Sequence, residues 1–110
     1  MERLERIAYF ENALNELCAA ERELDTALER FSAAQPSARE LEEYYFGGQW
    51  MDDFGADERG ELPPELPRGV LSEDGVYNAL GENRELLRRM AELSRRRGMK
   101  GDAPDEVEKL

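Results

Sequence analysis

The chain has 110 residues and carries 40% hydrophobic and 37% charged residues at a net charge of −11. That leaves room for one small domain, in a composition too apolar for a wholly disordered chain. Histidine is absent and there is a single cysteine, Cys18, so imidazole-based zinc sites, histidine bases and an internal disulfide are excluded.

Acidic charge dominates residues 1–75, with 19 acidic and 7 basic side chains, whereas residues 76–100 carry 7 basic against 3 acidic. A field of this overall sign repels phosphate backbones, so nucleic acid is disfavoured as a partner and a basic protein surface is allowed. No apolar run approaches the ~20 residues of a membrane-spanning helix. The opening Met-Glu-Arg-Leu-Glu-Arg lacks the pattern of a signal peptide. The expectation is a cytoplasmic protein that makes no use of a membrane, with its one thiol reduced.

Residues 2–34 contain no glycine or proline and are dense in helix formers. Ile7, Phe10, Leu14, Leu17, Leu24, Leu28 and Phe31 recur at steps of 3 and 4, with one step of 7 across Glu21. This is a heptad seam with a polar interruption, and it predicts a long amphipathic helix. Gln35-Pro36 is expected to end that helix, because proline pushes the preceding residue out of the α region. Ser37 and Glu40 then have the spacing of a capping box opening a short second helix with Leu41, Tyr44 and Tyr45, stopped at Gly47-Gly48. Gln49 to Phe54 is expected to fold back as a short turn or helix, and Gly55 to Gly69 to be a loop rich in acid, glycine and proline. Val70-Leu71 is a short apolar anchor. Ser72 is placed to cap a third helix running to about Arg97, with Glu73 and Asp74 in its first turn and a seam of Val76, Leu80, Asn83, Leu87 and Met90. Gly98 supplies its C-terminal stop, and residues 99–110 read as a disordered tail after a helical domain of residues 1–98. The fold expected is all-α: an antiparallel hairpin of two long helices, with the short helix and the irregular Pro/Gly-rich insert packed across it.

Five of the nine aromatic residues, Tyr44, Tyr45, Phe46, Trp50 and Phe54, fall within eleven positions. Such a cluster either plugs a small core or floors a binding patch. Asp52, Asp53, Asp57 and Glu58 follow it, but their spacing is not that of a calcium loop. Arg84, Arg88 and Arg95 share a side of the third helix, where dipole compensation and salt bridges to the acidic first helix explain them. Cys18, beside the seam, reads as a small buried hydrophobe.

The run Leu41-Glu42-Glu43-Tyr44-Tyr45-Phe46-Gly47-Gly48-Gln49-Trp50-Met51-Asp52-Asp53-Phe54, with Leu62-Pro63, Arg68-Gly69-Val70-Leu71-Ser72-Glu73-Asp74, Tyr77 and Asn83-Arg84-Glu85-Leu86, resembles a family of small, acidic, helical bacterial proteins catalogued as a domain of unknown function. The likeness covers about residues 37–90. It implies a mostly helical bacterial protein and carries over no activity, cofactor or catalytic residue. No catalytic, cofactor-binding or metal-ligating residue is assigned.

Candidate interaction or pocket residues are Tyr44, Tyr45, Trp50, Asp53, Phe54, Arg68 and Arg84. The functional expectation is a non-enzymatic module for binding a protein partner or a second copy of itself. Two other readings stay open. One is a small ligand- or metal-binding protein or enzyme using segment 44–58. The other is an acidic mimic of nucleic acid that occupies a basic protein groove.

Overall fold

A computed structural model describes residues 1–98. Among these residues the regular structure is three α-helices and one 3-10 turn: α1 (Arg3–Phe46), α2 (Gln49–Glu58), η1 (Gly69–Leu71) and α3 (Gly75–Arg96). No strand occurs among the described residues, so the all-α expectation is met. The expected tail lies outside the described residues.

The first helix is longer than its sequence predicts. Pro36 sits inside α1 rather than beyond it, and the segment read as a separate second helix is its last turns. Ser37 and Glu40 are therefore interior helical residues and form no capping box. An internal proline removes the hydrogen bond to the carbonyl of Ser32 and crowds it, at a cost of ~3 kcal/mol. Good helix formers on both sides offset this; the Gln35 side-chain amide donates to the Phe31 carbonyl at 3.1 Å, one residue before the carbonyl that the proline leaves open. Pro36 marks a boundary of a different kind: the chain divides into two compact units, Met1–Ser37 and Ala38–Leu110.

In the first unit no side chain is buried. Ile7, Phe10, Leu14, Leu17, Leu24 and Leu28 are 40–58% exposed, while Cys18 is half-buried rather than enclosed.

The second unit holds the buried core: Trp50, Leu71, Val76 and Leu80. The chain reverses from α1 into α2 through Gly47 and Gly48. Gly48 takes φ of 97°, a left-handed geometry that glycine adopts without the Cβ penalty. α2 then continues to Glu58, so Gly55 to Glu58 are helical and the irregular connection begins only at Arg59. Leu71 of η1 is buried, and η1 touches α2 on one side and α3 on the other. Ser72 does act at the start of α3: its hydroxyl accepts from the Gly75 amide at 3.1 Å and donates to the Gly69 carbonyl at 3.0 Å. Glu73 and Asp74 precede the helix rather than occupying its first turn. Gly75 is needed for this approach, since a Cβ there would lie 2.5 Å from Ser72 Oγ. At the far end Gly98, φ 75°, supplies the left-handed stop.

Leu80 is 2% exposed. Truncating a side chain so enclosed loses transfer energy and leaves a cavity. Leu80→Ala is expected to lower the stability of this unit by about 2–4 kcal/mol in denaturant titration followed by Trp50 fluorescence.

Candidate functional site

Six of the seven residues singled out in the sequence fall into three adjoining interactions in the second unit. The first is a stack of aromatic rings. Trp50 lies nearly parallel to Phe54, 4.9 Å between centroids and 14° between planes, and Tyr45 meets Trp50 at 5.0 Å with a tilt of 58°. The spacing of Trp50 and Phe54, one helical turn apart on α2, puts both rings on one side of that helix. Trp50 is 7% exposed, and its indole Nε1 donates to the Val70 carbonyl at 2.7 Å. A buried indole N–H without an acceptor would cost about 1–3 kcal/mol, so this bond fixes where η1 lies against α2. The cluster is thus largely a plug for the small core. Phe46, 65% exposed, meets only the edge of the stack, its ring 5.0 Å from that of Tyr45 at 87°, and Met51 is equally exposed.

The second interaction joins the end of α1 to α2. Tyr44 donates its hydroxyl to Asp53 Oδ2 at 2.6 Å. Burial, then the hydrogen bond and the negative charge of Asp53, push the Tyr44 phenol up from about 10 to about 12. The third is an ion pair between Arg68 Nη1 and Asp57 Oδ1 at 2.8 Å, which ties the irregular connection back to α2. Both side chains keep about a third of their surface, so its contribution is within the 0–1 kcal/mol typical of such pairs. Asp53 and Asp57 are one helical turn apart, and each is engaged by a different partner.

Arg84 is exposed on α3 and enters none of these three interactions. Trp50, Asp53 and Arg68 thus enter neighbouring interactions that serve the unit's own packing, and Arg84 enters none of them. The basic face of α3 also differs from expectation: Arg88 pairs with Glu85 and Arg95 with Glu92, both within α3 at i,i+3, in place of the expected bridges to the first helix. The hydrogen bond from Arg88 holds the Glu85 carboxyl below the usual carboxylate range. Among the described residues no group of three or more acidic or cysteine side chains is placed to hold a metal ion.

Because the Tyr44 phenol is raised in the folded state, its neutral form adds stability that is fully present below about pH 10 and lost as pH climbs through about 12. Asp53→Asn removes the charge and weakens the hydrogen bond. It is expected to bring the Tyr44 step down toward 10 in phenolate absorbance titration, Tyr44→Phe identifying the step. An unchanged step would show that burial alone sets it.

The first unit offers a different surface. Along α1, Glu21, Leu24, Asp25 and Leu28 stand at i, i+3, i+4 and i+7 and, with Cys18 and Arg22, line a shallow open groove. Four residues at those steps form the recess that accepts one side chain of a facing helix in coiled-coil packing. The heptad steps predict this surface; the groove itself was not among the candidate residues, because a recess flanked by Glu21 and Asp25 reads in sequence as an interruption.

No curated protein and no solved structure matches the chain. The family model described as Domain of unknown function (DUF4298) matches residues 7–93. The match begins at the first residue of the α1 stripe, so it takes in most of the long helix as well as the middle segment that carries the sequence resemblance. The chain belongs to this family of domains of unknown function.

Proposed function

We propose that this protein is a non-enzymatic module for protein–protein association, with the apolar stripe of α1 as its binding surface and the unit from Ala38 onward as a small folded anchor. The observation that carries the reading is the exposure of Ile7, Phe10, Leu14, Leu17, Leu24 and Leu28 at 40–58%. Scattered apolar residues on a surface need no explanation, but a row over about 32 Å of helix marks an interaction site. The family match includes the row. The polar groups of the aromatic segment, by contrast, are engaged with one another: Tyr44 with Asp53, Arg68 with Asp57, and Trp50 with the Val70 carbonyl. That pattern supports a structural role for them, with the surface of Tyr44, Tyr45, Phe54 and Arg84 as an accessory contact at most.

The row has three possible occupants: a second copy, another protein, or the chain's own third helix in the hairpin anticipated from sequence. All three bury the same side chains. Leu14→Glu and Leu24→Glu place a charge in the middle of the row and leave the Trp50 core untouched. They are expected to weaken association with a second copy or with a captured protein by tenfold or more, while near-ultraviolet circular dichroism of Trp50 is unchanged. Association indifferent to both substitutions would overturn the reading.

A further inference from the structure

We infer that the occupant of the α1 stripe is a second copy of the same helix, running antiparallel and centred near Ala19. The inference rests on the association reading above and specifies its partner. In heptad terms Ile7, Leu14, Glu21 and Leu28 occupy one seam position and Phe10, Leu17, Leu24 and Phe31 the other. Reversing the helix about residue 19 lays Ile7 of one copy against Phe31 of the other, Phe10 against Leu28, and Leu14 against Leu24. Each apolar residue except Leu17 then meets an apolar one, and none overhangs. Leu14 of one copy enters the recess formed by Glu21, Leu24, Asp25 and Leu28 of the other.

Two features choose antiparallel over parallel. The first is Glu21. A parallel pair sets the two Glu21 carboxylates in the same layer of the seam, whereas the reversed pair sets each against Leu17 and about 6 Å along the axis from its twin. The second is a line of alanines, Ala13, Ala20, Ala27 and Ala34, seven residues apart on one flank of the stripe. In an antiparallel pair like flanks meet, so Ala13 faces Ala27 and Ala20 faces Ala20, and the helices can approach closely on that side. In a parallel pair Ala13, Ala20 and Ala27 would face Cys18, Asp25 and Ser32, and the line would have no counterpart.

The area suffices. The six exposed side chains offer roughly 100 Å² each, so two copies cover about 1,200 Å² before flanking residues are included, the lower bound of stable specific interfaces. Glu11 against Asp25 on the other flank, and a net charge of −11 per chain, oppose the pairing and make it moderate and salt-dependent.

The test uses the full chain. Sedimentation over a concentration series should show a monomer–dimer equilibrium that tightens with added salt, and by tenfold or more in Glu21→Leu. Spin labels on Cys18→Ser chains carrying Asn12→Cys or Ala19→Cys then read the orientation. Antiparallel pairing offsets the two labels at 12 by about 21 Å along the axis and those at 19 by about zero, so the first distance is clearly longer. Equal distances, or a strict monomer for both the parent chain and Glu21→Leu, would overturn the inference. A monomer that still loses a protein partner on Leu14→Glu would leave the association reading standing and exclude only the second copy.

Discussion

A helix with one apolar edge cannot keep that edge in water without cost, and this constraint organises the first third of the molecule. Six large side chains of α1 carry about half of their surface exposed. At ~25 cal/mol per Å², covering roughly 600 Å² of them is worth about 15 kcal/mol before the entropy of association and ordering is subtracted. Very little else in residues 1–37 contributes to stability beyond the helix itself. The first unit is therefore defined by a surface rather than by a core.

The second unit is organised in the opposite sense, around an enclosed indole. Trp50 sits between the Phe54 and Tyr45 rings and donates to a carbonyl twenty residues further on, which brings η1 against α2. Leu71, Val76 and Leu80 then close the core from the other side. The polar interactions around it, Tyr44 with Asp53, Arg68 with Asp57 and Ser72 with Gly75, pin the segments that the rings leave free. Among the described residues, four buried side chains make a small core.

Much of this was legible in sequence because it depends on period and on single-residue chemistry. The heptad steps from Ile7 to Phe31 marked the helix and its apolar edge, Gly48 and Gly98 marked helix stops, and Ser72 marked the start of α3. What sequence missed were outcomes of competition. Pro36 carries a strong local signal for a helix end, but good helix formers on both sides outweigh it. Gly55 read as the opening of a loop, yet α2 absorbs it as far as Glu58. Of the candidate residues, Trp50 and Phe54 come together because helical spacing dictates it, and Tyr45 reaches them across the Gly47-Gly48 turn. The pairing of Arg68 with Asp57, and not with Asp53, is set by the path of an irregular connection that no local pattern encodes. Arg84 is exposed on α3 and enters none of these interactions.

The account stands or falls on whether the edge of α1 becomes covered by association. Amide hydrogen exchange read at single-residue resolution over a hundredfold range of chain concentration addresses this directly. Protection of residues 7–31 should rise with concentration while that of Trp50, Val76 and Leu80 stays constant. Protection of residues 7–31 that is identical at every concentration would contradict it.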